Sequence, residues 1–283
     1  MRKPMELLQR DFNRLSEFIH AEYGIKMPPV KRLLLESRLQ KRLRALDIET
    51  FRDYCDYLFS PEGRERETIF FIDKITTNKT DFFREPEHFD YLTRSVLPDL
   101  MKAIPGSHRS LQVWSAGCST GEEPYTLAMV LNEFGENNPA VGLNYSILGT
   151  DLSMEVLQVA RSGIYQESRV APVPMTLKRK YLLKSRDRRR QVVKIVPDLR
   201  KKIRLMQLNL MDDRYPIDRQ VDIIFCRNVI IYFDKATQEK ILLKLCRQLK
   251  VGGFFFQGHS ESTHGFRLPL KSVSPTVYKK IAH

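Results

Sequence analysis

A predicted strand that passes through small residues into an amphipathic helix constrains the fold of this chain more than any other segment. The strand-forming run at 111–114 ends in the small residues 115–117 and Gly121, and the following helix opens with Glu122 and Glu123. Small residues at the carboxyl end of a strand let a ligand approach the backbone closely, as in dinucleotide-binding turns. The turn has neither the Lys of a P-loop nor a complete G-x-G-x-x-G. Its carboxylates would repel a phosphate, so we expect a nucleoside ligand that carries positive charge.

S-adenosylmethionine fits these requirements, because its sulfonium and amino groups are cationic and its ribose offers hydroxyls. Asp151 ends the next predicted strand, where a carboxylate usually holds ribose hydroxyls. Structural alternatives remain open at this point. The S/T-x-x-E capping-box pattern occurs twice within 119–123, and Asp151 could cap the helix predicted at 153–161.

The composition favours a globular protein of a reducing compartment, the cytoplasm. The 283 residues are 42% hydrophobic, and no apolar run approaches the roughly 18–20 residues that span a bilayer. The amino-terminal sequence MRKPMELLQRDF lacks the apolar stretch and the cleavage site of a secretory signal. The four cysteines form no C-x-x-C pair, so we expect neither a metal nor disulfides.

The net charge of +13 is concentrated in two segments. Residues 169–204 contain fourteen Lys or Arg and two acids, and residues 31–44 contain six Lys or Arg and one acid. Basic patches of this density indicate acidic partners, either a protein surface or a nucleic acid. The alternative is that both are solvated faces without a specific partner.

Residues 1–75 predict a small all-helical domain. Apolar residues recur at helical spacing in four segments, which are 12–23, 33–46, 51–59 and 69–75. Gly24 is expected to end the first helix, and Pro61 lies just beyond the third.

Residues 76–283 predict an α/β domain, because helices and strands alternate from residue 87 onward. The predicted strands are 111–116, 143–150, 203–208, 221–226, 253–257 and 276–281. The predicted helices are 87–103, 122–134, 153–161 and 235–249. Strands separated by helices predict a parallel, doubly wound sheet. Within 176–202, two short apolar runs flank RDRRR and predict an inserted antiparallel β-subdomain.

Five sequence blocks in a fixed order form the most specific pattern in the chain. They are TTNKTDFFRE at 76–85, WSAGCSTGEEPY at 114–125, RSGIY at 161–165, FCRNVIIYFD at 225–234 and GHSES at 258–262. With these blocks the chain resembles the CheR family of chemotaxis receptor methyltransferases over nearly its whole length. The resemblance implies an all-α amino-terminal domain followed by a Rossmann-like domain that binds S-adenosylmethionine. It also implies methyl transfer to glutamate side chains on the cytoplasmic helices of chemoreceptors, with S-adenosylhomocysteine as the second product.

The resemblance further implies roles for individual residues. Arg84 and Tyr232 would be catalytic, Glu123 would accept from the methionyl amino group, and Asp151 would accept from the ribose hydroxyls. The complete set of cofactor contacts would be Asn78, Thr80, Arg84, Glu123, Asp151, Asn209, Leu210, Arg227 and Asn228. No metal is implied.

Elementary chemistry agrees with this set of residues. A glutamate carboxylate is already ionised at neutral pH, since its reference pKa is about 4.3, so it can attack the sulfonium methyl without a general base. The enzyme must then align two bound reactants, which can lower the barrier by roughly 7–11 kcal/mol. Arg84 can hold the incoming carboxylate in a forked geometry, and the Tyr232 hydroxyl can steer one oxygen. The structural alternatives are an ion pair of Arg84 with Glu87 and a core position for Tyr232. Asp234 is expected to cap the following helix, and Glu261 to have a structural role.

The basic segment 31–44 is expected to dock on acidic, glutamate-rich receptor helices, as the resemblance implies. The residues concerned would be Arg38, Lys41, Arg42 and Arg44. The inserted hairpin corresponds to a subdomain that grips a receptor tail peptide in some members of the family, but its loop reads SRDRRR where those members carry glycines. We expect a monomer without membrane insertion and without a nucleic-acid partner.

Two other functions are compatible with part of the sequence. A nucleic-acid methyltransferase would suit the cofactor site and the basic segments, but no aromatic platform is interleaved among the basic residues. A non-catalytic adaptor would keep the fold and use the basic faces to bind partners. The intact set of predicted cofactor residues argues against an adaptor.

Overall fold

The computed structural model describes residues 5–103, 109–187 and 189–281. It confirms the predicted fold class, which is a small all-helical domain followed by a Rossmann-like domain with a separate antiparallel sheet. Residues 1–4, 104–108 and 282–283 of the two predicted domains, and Arg188 of the basic loop, lie outside the described residues. No helix in the described part of the chain is long and apolar enough to span a membrane.

Five helices form the amino-terminal domain. They are α1 (Gln9–Tyr23), α2 (Arg32–Ala45), α3 (Phe51–Phe59), α4 (Pro61–Arg66) and α5 (Thr68–Ile75). α1 ends as predicted at Gly24, whose φ of 66° is left-handed. The sequence predicted four helices, and α4 is the additional one. It forms because the Ser60 side chain accepts from Gly63 N, while Pro61 occupies a first-turn position where no N–H is required.

Ten strands and seven further helices are described in the second domain. The strands are β1 (Arg109–Ala116), β2 (Leu143–Asp151), β3 (Ile164–Gln166), β4 (Leu182–Lys184), β5 (Val192–Ile195), β6 (Ile203–Gln207), β7 (Val221–Cys226), β8 (Leu249–Gln257), β9 (Leu270–Ser274) and β10 (Val277–Lys280). The helices are α6 (Glu87–Tyr91), α7 (Leu97–Ala103), α8 (Glu122–Asn137), α9 (Met154–Ser162), α10 (Met175–Tyr181), α11 (Pro197–Arg200) and α12 (Lys235–Gln248). A π-helical turn, Leu92–Val96, joins α6 and α7 into the helix predicted at 87–103.

The main sheet has seven strands in the order β6-β2-β1-β7-β8-β10-β9. The first five run parallel, as predicted, whereas β10 is antiparallel to both of its neighbours. All six residues of β7 are buried, as expected for a strand covered on both faces. The chain winds outward from β1 in one direction and then returns to β7 on the other side. Such a switch point creates a crevice at the carboxyl ends of the strands.

The small sheet consists of three antiparallel strands in the order β3-β5-β4. The hairpin predicted around RDRRR is therefore confirmed, and β3 from the RSGIY block is an additional strand. Several basic side chains of 169–204 contact groups within the molecule. Lys180 contacts Glu133, Arg169 contacts Glu122, and Lys202 contacts Asn144. Part of the predicted basic patch is thus neutralised by the fold.

The helical domain packs directly over the carboxyl ends of the main sheet. The backbone N–H of Lys26, just after α1, donates to the carbonyl of Tyr232 at 2.8 Å. On the other side, the Ser153 hydroxyl at the start of α9 donates to Asp73 of α5 at 2.6 Å. These contacts, together with Leu34 and Arg38 of α2 in the lining of the crevice, place α1, α2 and α5 around it.

Candidate active site

One cleft at the carboxyl ends of β1, β2 and β7 brings together every cofactor and catalytic residue predicted from the sequence. Its lining includes Asn78, Thr80, Arg84, Glu123, Asp151, Asn209, Leu210, Arg227, Asn228 and Tyr232. Tyr23, Lys31 and Leu34 of the helical domain add to its wall. The empty volume, including open space at the mouth, is about 1150 Å³.

The turn between β1 and α8 has the backbone geometry of a ligand-binding turn. Gly117 N donates to the carbonyl of Thr150 at 2.8 Å, which ties the turn to β2. Gly121 has a φ of 96°, and a Cβ there would lie 2.8 Å from a side-chain atom of α9. Glycine is therefore required at this position on two grounds. Gly121 is also the N-cap of α8 and makes no side-chain cap, so the capping-box alternative for Ser119 and Thr120 is wrong.

Asp151 is held in a fixed orientation by two backbone donors. Its Oδ2 accepts from Ser119 N at 2.8 Å, and its Oδ1 accepts from Ser153 N at 3.0 Å. Burial raises the pKa of Asp151, and these hydrogen bonds oppose that shift. Ser153, rather than Asp151, caps α9, because its hydroxyl accepts from Val156 N. Each carboxylate oxygen keeps a further lone pair for a ligand hydroxyl.

Glu123 belongs to a chain of hydrogen bonds that runs behind the cleft. Its Oε1 accepts from the Ser115 hydroxyl at 2.7 Å, and its Oε2 accepts from Arg227 Nε at 2.8 Å. Arg227 Nη1 donates to His88 Nδ1 at 2.9 Å, and His88 Nε2 lies 2.7 Å from Thr276 Oγ1. Because Nδ1 accepts, His88 is neutral with its proton on Nε2. Burial, and then the Arg227 charge, lower the pKa of His88 to about 4.

Glu122 does not share the binding role that the sequence suggested for both carboxylates of the turn. Its buried side chain forms an ion pair with Arg169 and lies outside the cleft. The negative charge that a ligand meets therefore comes from Glu123 and Asp151. Arg227 forms an ion pair with Glu123 and offsets part of its charge.

The loop from Arg227 to Tyr232 is held in place by one buried carboxylate. Glu261 accepts from the backbone N–H groups of Asn228, Val229, Ile230 and Gly258, at 2.7 to 2.8 Å. Burial raises the pKa of Glu261 despite these four donors. Asn228 itself has a left-handed φ of 59°. Glu261 thus has the structural role expected from the sequence, and Asp234 caps α12 as expected, accepting from Thr237 N.

The two residues with predicted catalytic roles face the same cleft. Arg84 Nη1 donates to the carbonyl of Lys79 at 3.1 Å, and no ion pair with Glu87 occurs among the described contacts. The Tyr232 ring lines the cleft, and Lys31 Nζ lies 5.9 Å from its centroid. The geometry therefore allows both side chains to reach a bound reactant, and their orienting roles stay predictions.

Two amides in the predicted cofactor set also shape the cleft wall. The Asn209 side chain donates to the carbonyl of Glu22 at 2.9 Å and accepts from Met211 N at 3.0 Å. The Asn78 side chain donates to Thr76 Oγ1 at 3.2 Å. Asn209 therefore fastens the helical domain to the loop after β6.

Comparison with known proteins identifies the family. Residues 10–76 match the family model "CheR methyltransferase, all-alpha domain", and residues 78–279 match "CheR methyltransferase, SAM binding domain". The chain belongs to the CheR methyltransferase family. It is similar to a chemotaxis protein methyltransferase of Borreliella burgdorferi, with 41% identity over 277 residues, which covers 98% of this chain and 96% of that protein. It is also similar to the chemotaxis protein methyltransferase of Salmonella typhimurium, with 34% identity over 281 residues, which covers 98% and 92%.

Membership in the CheR family establishes an S-adenosylmethionine-dependent methyltransferase of chemotaxis. The donor set in the cleft fits that cofactor. Asp151 lines the cleft, and each of its carboxylate oxygens accepts from a backbone N–H and keeps a further lone pair for a ligand hydroxyl. Asp151 and Glu123 are carboxylates of this cleft, and their assignment to the ribose hydroxyls and the methionyl amino group stays a prediction.

The CheR helical domain uses two of the four predicted receptor-binding residues internally. Arg42 forms a bidentate pair with the buried Glu67, at 2.6 to 2.9 Å, and is therefore a structural residue, which corrects its assignment to receptor binding. Arg38 Nη1 donates to the last carbonyls of α5 and to that of Thr76, although its side chain also lines the cleft. Lys41 and Arg44 are exposed.

Sequence analysis missed three polar residues of the site: Glu85, His88 and Ser115. Glu85 ends the TTNKTDFFRE block, and its Oε2 lies 3.4 Å from Arg227 Nη1. Ligand atoms of Glu85, His88 and His259 lie within 4.8 Å of one another, as in a metal site. The Arg227 guanidinium already occupies His88 Nδ1, and its positive charge disfavours a metal cation at this position.

Proposed function

We propose that this protein transfers a methyl group from S-adenosylmethionine to glutamate side chains on the cytoplasmic helices of chemoreceptors. The observation that carries the proposal is one cleft whose lining includes both the carboxylates of Glu123 and Asp151 and the side chains of Arg84 and Tyr232. The first pair suits the cationic and hydroxyl groups of the donor, and the second suits an incoming carboxylate. Family membership supports the same substrate.

The reaction needs alignment rather than proton transfer. When bound, S-adenosylmethionine supplies a methyl group activated by a sulfonium. The attacking glutamate is ionised at neutral pH, so the chain needs no general base and no nucleophile of its own. Arg84 and Tyr232 orient the carboxylate, and Asp151 and Glu123 fix the opposite reactant. Alignment of this kind can contribute roughly 7–11 kcal/mol to lowering the barrier.

Asn78, Thr80, Asn209, Leu210, Arg227 and Asn228 complete the proposed cofactor site. Arg227 keeps Glu123 in place through the hydrogen bond from its Nε. Lys41 and Arg44, with Arg38 at the cleft wall, are the proposed receptor contacts. We infer that the enzyme acts as a monomer in the cytoplasm, where the receptor helices are accessible.

The decisive experiment incubates the protein with methyl-labelled S-adenosylmethionine and a purified cytoplasmic receptor fragment. We expect label on the fragment that alkali releases as methanol, because glutamate methyl esters are base-labile. A fragment in which the acceptor glutamates are replaced by alanine is the matched control. Alkali-stable label, or label on added RNA instead of the fragment, would refute the proposal.

A further inference from the structure

The exposed face of α2 and of the 3-10 turn just before it (Pro29–Lys31) carries an apolar patch beside the mouth of the cleft. Val30 is 86% exposed, Leu33 69% and Leu34 45%. Leu34 and the neighbouring Lys31 line the cleft, and Lys31 lies over the Tyr232 ring. Adjacent large apolar side chains in contact with water are typical of an interaction site.

The same face becomes basic towards the carboxyl end of α2. Val30, in the turn before α2, is exposed, and within α2 the exposed positions 33, 34, 37, 41 and 44 follow helical spacing and lie on one side. The last two of these are Lys41 and Arg44. The opposite side packs into the domain core through Leu35, Leu39 and Leu43. At 1.5 Å per residue, Leu33 and Arg44 are about 16 Å apart along the axis, which is roughly three turns.

We propose that Val30, Leu33 and Leu34 form an apolar seat for the helix that carries the reactive glutamate. This inference rests on the proposed function and adds an apolar contact beside the reactive glutamate to the basic receptor contacts proposed above. In the bound receptor helix, apolar side chains within one turn of the reactive glutamate pack on Val30, Leu33 and Leu34. Acidic side chains of the same receptor helix, two to three turns further along, lie opposite Lys41 and Arg44.

Position and charge both favour this occupant. The seat adjoins the cleft that must admit the glutamate, so a helix lying on α2 brings its side chains to Tyr232. The basic end of the face complements an acidic helix. A second copy of this chain, with a net charge of +13, is the less complementary partner.

The test compares the double variant Val30→Ser/Leu33→Ser with wild type and with Met175→Ser, a control at a side chain that is 60% exposed in α10. Leu34 is left unchanged because it lines the cleft. Removing the apolar seat should raise KM for the receptor fragment about tenfold, the size expected of an interface anchor. S-adenosylhomocysteine affinity, measured by calorimetry, should stay the same, and the control should match wild type in both measurements.

A second variant separates the apolar and basic contributions. Lys41→Ala/Arg44→Ala should also raise KM for the fragment, and should flatten its dependence on salt, because exposed charges are screened. Val30→Ser/Leu33→Ser should keep the salt dependence of wild type.

The outcomes distinguish this inference from the proposed function. A wild-type enzyme that forms no base-labile ester refutes the function itself. An active wild type with an unchanged receptor KM in Val30→Ser/Leu33→Ser overturns only the seat, as does weakened S-adenosylhomocysteine binding in that variant. A wild-type dimer that becomes a monomer in the variant also overturns it, and assigns the patch to self-association.

Discussion

The Arg227 guanidinium offsets negative charge on the buried side of the cleft. Its side chain is 2% exposed, and it donates both to Glu123 and to His88. A buried cation is stable only when its donors are paired, because the desolvation of an unpaired charge is expensive. His88 must therefore remain an acceptor, and hence neutral, for this arrangement to persist.

The neutral state of His88 predicts a loss of stability in mild acid. The native pKa of His88 is about 4, below the ordinary value of 6.5. The unfolded chain therefore binds the extra proton first, and stability falls as pH drops below about 6.5. Between pH 7 and pH 5, this group should lower the free energy of unfolding by about 2 kcal/mol.

Urea unfolding of wild type and His88→Asn at both pH values measures this contribution. Asn does not titrate, but it offers Arg227 an acceptor near the position of Nδ1. The variant should lose less stability than wild type over this range. An equal loss in the two proteins would contradict the prediction.

Arg84→Ala and Tyr232→Phe test the orienting roles at the reacting end of the cleft. Each change should lower kcat at least about tenfold, which corresponds to roughly 1.4 kcal/mol of transition-state stabilisation. The melting temperature should not change, because both side chains lie at the cleft wall. Arg84→Lys keeps the charge without the fork and should recover only part of the rate. Wild-type turnover in the first two variants would exclude these roles.

The site residues that could be predicted from the sequence lie near strand ends or within the five sequence blocks. Asp151 directly follows one predicted strand, and Glu123 lies in the first turn of the helix after another, so their meeting in one crevice could be anticipated. His88 could not be anticipated in this way, because Arg227, the partner that gives it a role, is 139 positions away in the chain. The internal pairing of Arg42 escaped detection for a related reason, since only the packing of α2 on α5 brings Glu67 near it.

At the scale of elements, the turn before α8 depends on one glycine. Gly121→Ala forces a side chain into a φ of 96° and places its Cβ 2.8 Å from the Cβ of Ala160. Gly252→Ala is the matched control, since its φ is 80° but nothing lies within 4 Å of a Cβ there.

The control should lose about 1–2 kcal/mol of unfolding free energy, from the backbone alone. Gly121→Ala should lose more, because overpacking adds typically 1–3 kcal/mol. Denaturant unfolding of both variants measures the difference, and equal losses would show that the contact with α9 relaxes freely.

Element boundaries were predictable where burial is regular and less so at the surface. β7, buried throughout, was predicted with its correct ends. β9 was missed because its residues are only partly buried or exposed and show no alternation that marks a core face. α4 was missed because Pro61 indicates a helix end and a helix start equally well.

For the whole molecule, the contact of α5 with α9 joins the two domains near the cofactor site. Asp73 Oδ1 accepts from the Ser153 hydroxyl at 2.6 Å and from Glu155 N at 3.3 Å. Ser153 N in turn donates to Asp151. The orientation of Asp151 is thus linked to the seating of the helical domain.

Asp73→Ala should weaken binding of S-adenosylhomocysteine and lower the free energy of unfolding by about 1 kcal/mol, the usual net value of a hydrogen bond. Lys74→Ala is the neighbouring control. It removes only an ion pair with Glu155 whose side chains are 35% and 59% exposed, and such surface pairs contribute roughly 0–1 kcal/mol. Calorimetric titration and thermal unfolding measure both effects. Equal affinity in wild type and Asp73→Ala would disprove the link between the domains.

Residues of the helical domain form part of the cleft wall, and this affects what happens when domains are exchanged between related proteins. Tyr23, Lys31 and Leu34 line the same space as Tyr232. A chimaera that carries the amino-terminal domain of a relative therefore also carries that relative's part of the cleft wall. With the receptor contacts proposed above, we expect recombination near residue 76 to change receptor choice and donor affinity together.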